Sequence, residues 1–198
     1  ALTIVKEYMP ELIISDIMMP EMRGDELCAA IKNDIETSHI PIILLTAKDS
    51  LKDKEEGYQT GADSYLTKPF SASLLRSRID NLLQSRQKLA KHFENNTALN
   101  DKSALITESI NKLDNEFIQK INRLIEERLS SDKIDISYLA DKMCMSSSTL
   151  YRKMKALTGL STNEYVRKIR MKFAEQFLLE GKYNISCLLY TSPSPRDS

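Results

Sequence analysis

Three short apolar runs, each closing on a polar residue and each separated from the next by a stretch with helical period, constrain this chain more than any other feature. They are ELIISDI (11–17), IPIILLTA (40–47) and SYLT (64–67). Around them, residues 1–8 read as the tail of a helix. The Pro/Gly-bearing loop MMPEMRGDEL leads into a helix ending near Asn33, and another is expected from Leu51 to about Thr60. Ser71 to about Leu89 places Leu75, Ile79, Leu82 and Leu83 on one helical face. Strands alternating with helices predict an α/β fold, a doubly wound parallel sheet with helices on both faces. In such sheets functional groups gather at the carboxyl ends of the strands, where Asp16, Thr46 and Lys68 fall.

The chemistry of those three residues is coherent. A carboxylate at a strand end can accept a phosphoryl group as an aspartyl phosphate. A hydroxyl one strand over can bond the new phosphate oxygens, and an ammonium further on can neutralise them. Taken singly, each is better read as a polar residue that merely closes a strand. Together, D-x-M-M-P-x-M-x-G at Asp16–Gly24, T-A at Thr46-Ala47 and Y-L-T-K-P-F at Tyr65–Phe70 resemble the receiver domain of response regulators over essentially all of 1–89. The resemblance implies a flavodoxin-like fold, with Asp16 as phosphoacceptor and Thr46 and Lys68 as phosphate partners. It also implies Tyr65 as the switching aromatic of the output face, a cis Lys68–Pro69 bond, and a histidine kinase or its phosphodonor domain as partner.

A receiver of this family begins with a strand bearing an acidic pair that holds Mg²⁺, then a helix and a second strand. All three are expected to lie upstream of Ala1, so residues 1–89 read as a truncated receiver. Of the metal ligands, the Asp16 carboxylate and the Met18 carbonyl remain. Phosphoryl transfer relies on that cation. The chain by itself is therefore expected to accept phosphate poorly, although the intact parent, with Mg²⁺, should accept it. The neighbour of the Leu12–Ile17 strand would be missing, leaving an apolar edge.

The second half changes character. In Ile136–Gly159, ISYLADKMCMSSSTLYRKMKALTG, the residues Ile136, Leu139, Ala140 and Met143 share one face. Cys144-Met145 makes a turn, and Ser146 is placed to cap a second helix. There Leu150, Met154 and Leu157 face inward, while Ser147, Ser148, Tyr151, Arg152 and Lys155 point out. Hydroxyls and cations at the start of a helix suit phosphate and base-edge contact in a major groove. A helical hairpin with a solvated basic face has the same spacing.

The run S-x-S-T-L-Y-R-K-x-K-A-L-T-G-L-S-x-N-E-Y-V-R, from Ser146 to Arg167, resembles the first helix-turn-helix of an AraC-type DNA-binding domain, an all-α unit. The resemblance implies double-stranded DNA as partner. Two positions depart from the family. Gly is common where Cys144 stands, so the turn is expected to be strained, since Cys tolerates positive φ poorly. Arg is common where Ser147 stands, so the target sequence does not carry over.

From Asp114, Phe117, Ile121, Leu124 and Ile125 form a face expected to pack on the helix-turn-helix. Ser161 to Glu180 reads as one helix with Ser161 and Glu164 in a capping box and Tyr165, Ile169, Phe173 and Phe177 inward. Arg167, Lys168, Arg170 and Lys172 are phosphate contacts or a solvated face. Lys182–Ser186 begins what the family continues as a second helix-turn-helix. Cys187–Ser198 has no helical period and matches a translated transposase-adapter sequence used in sequencing libraries; it is read as an artefact.

Charge supports two domains. The whole chain is neutral, with 28 Lys+Arg and 28 Asp+Glu. Residues 1–89 hold 11 Lys+Arg against 14 Asp+Glu, whereas 142–172 holds 8 against one acid, Glu164. The basic half is the one suited to a polyanion. Cys28, Cys144 and Cys187 have no paired spacing, which argues against a disulfide framework or zinc cluster and for a reducing compartment. No apolar run approaches bilayer length. His39 and His92 read as surface residues.

The expected organisation is a receiver (1–89), a linker (90–113), the first half of an AraC-type domain (114–186) and the adapter-like tail. The expected function is a cytoplasmic, phosphorylation-controlled, sequence-specific transcription regulator of a two-component system. It would be homodimeric in the parent and would resemble the end of a hybrid histidine kinase. Two rivals stand beside it. One is an aspartate-nucleophile phosphotransferase or phosphatase, disfavoured because Met18 stands where a second acid would be wanted. The other is a DNA-binding protein whose receiver serves only to dimerise.

Overall fold

The computed structural model describes residues 1–47, 61–95, 111–129 and 134–179, without the side chains of 92–95. The helix expected at Leu51–Thr60, the middle of the 90–113 linker, the His92 side chain, Glu180, Lys182–Ser186 and Cys187–Ser198 lie outside the described residues. The described residues fall into two compact units: 1–47, 61–89 and 111–115 in one, and 90–95, 116–129 and 134–179 in the other.

The first unit is an α/β layer structure. In chain order it contains α1 (Leu2–Tyr8), β1 (Ile13–Asp16), α2 (Gly24–Lys32), β2 (Ile42–Thr46), β3 (Ser64–Thr67) and most of α3 (Ala72–Asn95). The three strands form one parallel sheet in the order β1-β2-β3. Ile13 lies opposite Ile42 and Asp16 opposite Leu45, while Ile43 lies opposite Ser64 and Thr46 opposite Thr67. β2 is the central strand, and Ile42, Ile43 and Leu44 are almost completely buried. Such an unbroken apolar run is what a parallel strand covered on both faces requires. Among the described residues β1 is an edge of this three-stranded sheet, and Ile14 on it is exposed. Leu27, Cys28 and Ile31 of α2 pack with Val5, Ile17, Ile40, Ile42 and Leu44 in the core beside the sheet.

At the amino-terminal side of β2, a buried lysine ties helix, loop and strand together. Lys32 Nζ donates to Ile40 O at 2.9 Å and pairs with Asp63 Oδ2 at 2.6 Å. The same Asp63 oxygen accepts the Ile42 N–H at 2.8 Å. The charge is thus matched and multiply bonded, the condition under which burying it is tolerable.

Two sequence expectations are corrected here. His39, read as a surface residue, is buried, because the Thr37–Ile40 turn that feeds β2 is itself buried. The last helix of the first half does not stop near Leu89 but runs on to Asn95. Residues 81–95 contain no Gly or Pro to end it, and Leu89 gains burial near its end.

The second unit is all α. It holds most of α4 (Lys112–Glu126), with α5 (Ile136–Lys142), α6 (Ser147–Thr158) and α7 (Thr162–Leu179). The expected inner face of α4 is buried at Phe117, Ile121, Leu124 and Ile125, joined by Ile118. Asp135 caps α5 by accepting the Ser137 N–H at 3.1 Å, and Ser146 caps α6 by accepting the Thr149 N–H at 3.1 Å. Ser161 and Glu164 form the capping box of α7. Glu164 Oε2 accepts the Ser161 N–H at 2.8 Å, and Ser161 Oγ accepts the Glu164 N–H at 3.3 Å. Tyr165, buried on α7, donates its hydroxyl to Asn122 Oδ1 at 2.9 Å, and burial pushes its pKa up to about 12.

The turn between α5 and α6 is strained where the sequence indicated. Cys144 adopts φ 56, the left-handed region. An L-residue with a Cβ is disfavoured there by roughly 1–2 kcal/mol. Gly159, at φ 72, closes α6 in the same region without that penalty. Replacing Cys144 with Gly is therefore expected to stabilise the chain by about 0.5–1 kcal/mol, after the extra unfolded-state entropy of glycine is subtracted. The check is the urea midpoint. A midpoint that does not rise would show that the turn stores no strain.

Candidate functional site

β1, β2 and β3 run parallel, so their carboxyl ends lie along one edge of the sheet. Asp16 is the last residue of β1, Thr46 the last of β2, and Lys68 follows the last residue of β3. The backbone joins them: the Ile17 N–H donates to Leu45 O at 3.0 Å, and the Lys68 N–H donates to Thr46 O at 2.7 Å. Lys68 Nζ forms an ion pair with Asp16 Oδ2, bringing together groups 52 positions apart in the chain. The Met18 N–H donates to Asp16 Oδ1 at 3.2 Å. The Lys68 hydrogen bond, the Met18 and Ile17 N–H groups and the Lys68 charge together hold the Asp16 carboxyl below its ordinary pKa. Asp16 is thus an ionised, partly solvent-open carboxylate with a cation already beside it.

Thr46 is buried, and its hydroxyl donates to Ala47 O at 3.2 Å. Tyr65 is half-buried and packs against the core cluster that includes Leu44 and Ile17. The Lys68–Pro69 peptide is cis. The Met18 side chain is 74% exposed and brings no second carboxylate to Asp16.

The loop after β1 is shaped by one glycine. Gly24 opens α2, and its N–H donates to Ile17 O at 2.9 Å. Asp25 and Glu26 occupy the first turn, where the helix dipole favours negative charge. Glu26 accepts the Arg23 N–H at 3.1 Å, and Asp25 holds the Arg23 guanidinium at 3.0 Å.

A metal at this edge needs more than the described residues provide. Among them, no group of three or more His, Cys, Asp or Glu side chains could hold an ion. The Asp16 carboxylate and Met18 carbonyl would supply two of the roughly six oxygens that Mg²⁺ takes. This donor set does not fit Mg²⁺ by itself.

In the second unit, α6 presents two faces. Leu150, Met154 and Leu157 are buried, while Ser147, Ser148, Arg152 and Lys155 are exposed and Tyr151 is 48% exposed. The structure gathers all five outward residues on one short helix directly after the strained turn. Ser148 Oγ shares a hydrogen bond with Ser146 Oγ at 2.9 Å, so its hydroxyl is partly engaged in the cap. Lys153, absent from the expected inward set, shares the i, i+3, i+4, i+7 face of Leu150, Met154 and Leu157. It is fully buried, with Nζ 4.9 Å from the centre of the Phe117 ring. At the start of α5, Tyr138 lies under the Arg128 guanidinium at 3.8 Å.

Comparison with known proteins follows this division. The family described as "Response regulator receiver domain" matches residues 1–80, and "Mga helix-turn-helix domain" matches residues 106–182. The Pyropia yezoensis protein named "Probable transcriptional regulator ycf29" is 36% identical over 172 residues, covering 83% of this chain and 78% of that protein. The chain belongs to the response-regulator family of transcriptional regulators. The regulator is also 39% identical over 190 residues to "Histidine kinase P4" of Formosa agariphila, covering 96% of this chain. It spans only 14% of that protein's length. A crystal structure of the signal receiver domain of a signal transduction histidine kinase from Syntrophus aciditrophicus is 41% identical. The match has a TM-score of 0.36 and covers 38% of this chain and 57% of that one. Among the described residues, no helix of the regulator is long and apolar enough to cross a membrane.

Proposed function

We propose that this chain is the switch and output portion of a longer two-component regulator, in which phosphoryl transfer to Asp16 alters how an AraC-type helix-turn-helix reads DNA. The observation that supports it most is α6. A Ser-capped helix buries Leu150, Met154 and Leu157 and turns Ser147, Ser148, Tyr151, Arg152 and Lys155 outward. That helix follows a short helix and a tight turn, the arrangement by which a recognition helix is held in a major groove. The AraC assignment rests on the Ser146–Arg167 motif. Similarity to a protein named as a histidine kinase supports the hybrid arrangement.

At the other site, an Asp16 carboxylate oxygen attacks phosphorus of the donor group. The bond from phosphorus to the donor breaks with its electron pair left on the donor, and an acyl phosphate forms on Asp16. Lys68 then transfers its hydrogen bond from carboxylate to phosphoryl oxygen, and Thr46 offers its hydroxyl to another. The histidine kinase or its phosphodonor domain supplies the phosphoryl group. Tyr65, on β3, the strand that Lys68 follows, would relay the change to the output face in a homodimeric parent.

The DNA reading is tested at Arg152. Arg152→Ala is expected to cost about 1–3 kcal/mol on a preferred duplex and to relax base preference, with little effect on random DNA. Fluorescence anisotropy at matched salt separates the two. Equal losses on both duplexes would remove Arg152 from base reading.

A further inference from the structure

One cation of α6 is not on its outward face. Lys153 is fully buried between exposed Arg152 and buried Met154, and its ammonium lies over the Phe117 ring of α4, itself fully buried. Burying an ammonium is costly, and an apolar side chain of similar volume at such a position is often at least as stable. What a lysine adds at this position is a directional contact. Leu150, Met154 and Leu157 hold α6 against the unit by apolar packing. A cation over an aromatic face is favourable only while the ammonium stays above the ring, and desolvation strengthens it. Rotating a helix by about 20° moves side-chain tips, some 5–6 Å from the axis, by about 2 Å. That is enough to break a base-edge hydrogen bond at 2.7–3.2 Å.

We propose that Lys153 is a positioning residue: its ammonium, seated on the Phe117 ring, fixes the rotation of α6 about its own axis and so aims Tyr151, Arg152 and Lys155 at base edges. This rests on the DNA-binding reading of α6 given above. The phosphate contacts that dominate overall affinity are left to exposed cations.

The test uses the whole chain with Lys153→Met, Lys153→Arg and Phe117→Leu, and a library of short duplexes with a randomised centre. The wild-type chain is selected first. Enrichment of no motif would overturn the DNA reading itself, before any variant is compared. With a motif in hand, Lys153→Met is expected to keep its urea midpoint and its affinity for random duplex. It should keep the slope of log affinity against log salt and lose about tenfold in the ratio of motif to random binding. Lys153→Arg, which restores a cation over the ring, should recover most of that ratio. Phe117→Leu keeps the ammonium and removes the ring, so it should reproduce the loss even if Lys153→Met folds poorly. An undiminished ratio in a folded Lys153→Met or Phe117→Leu chain would overturn the inference. A salt slope reduced by about one in Lys153→Met would also overturn it, since Lys153 would then be a phosphate contact.

Discussion

Replacing Gly24 with alanine is expected to destabilise the regulator by about 2–4 kcal/mol. A Cβ at this position would stand 2.1 Å from the carbonyl oxygen of Asp16, 2.8 Å from its carbonyl carbon and 3.0 Å from Ile17 Cα. All three are backbone atoms, so no side chain can turn aside, and α2 or the end of β1 must move. The sign is informative, because alanine in a helix is otherwise favoured over glycine by about 1 kcal/mol. The displaced backbone is that of Asp16, so the carboxylate would also leave its geometry with Lys68 and the Met18 N–H. Urea unfolding followed by circular dichroism measures the stability term. A midpoint equal to or above wild type would mean that α2 does not pack against the strand end as described.

A second large effect is expected at Phe117. Its ring is fully buried on α4, and removal of a buried aromatic costs about 3–5 kcal/mol. Phe117→Ala also withdraws the ring from beneath the Lys153 ammonium, leaving a buried charge with one favourable interaction fewer. The loss should therefore fall at the upper end of that range, and DNA binding should fall with the folded population. Adding Lys153→Met to Phe117→Ala should recover part of the stability by removing the charge. If the double substitution is no more stable than Phe117→Ala, ring and ammonium are not coupled.

Much of this was legible in the residue pattern, for reasons particular to each element. The run Ile42–Thr46 announces a strand covered on both faces because it is apolar without alternation. Asp16, Thr46 and Lys68 converge because parallel strands put all their carboxyl ends on one edge, so position along each strand suffices to group them. Ser146, Ser161 and Glu164 were readable because capping is local, decided within four residues.

What was not legible depends on contacts distant in sequence. Lys153 shares the i, i+3, i+4, i+7 face of Leu150, Met154 and Leu157, but a lysine is ordinarily counted as outward, and its partner ring, Phe117, lies 36 positions earlier. His39 looked like a polar residue ahead of a strand, yet the turn containing it is covered. The role of Gly24 is a close approach between backbones, for which the sequence offers only the glycine. The extension of α3 to Asn95 was hidden because its apolar period fades, although nothing there breaks a helix.

The central proposal joins two chemistries on one chain, and one measurement addresses that union. DNA affinity of the longer regulator, extended upstream of these residues, would be titrated at fixed salt before and after treatment with a small-molecule phosphodonor. Wild type and Asp16→Asn would be compared. The account predicts that the donor adds one phosphoryl group and shifts the affinity in wild type, and does neither in Asp16→Asn. The same shift in both proteins, or phosphorylated Asp16 with unchanged DNA affinity, would contradict it.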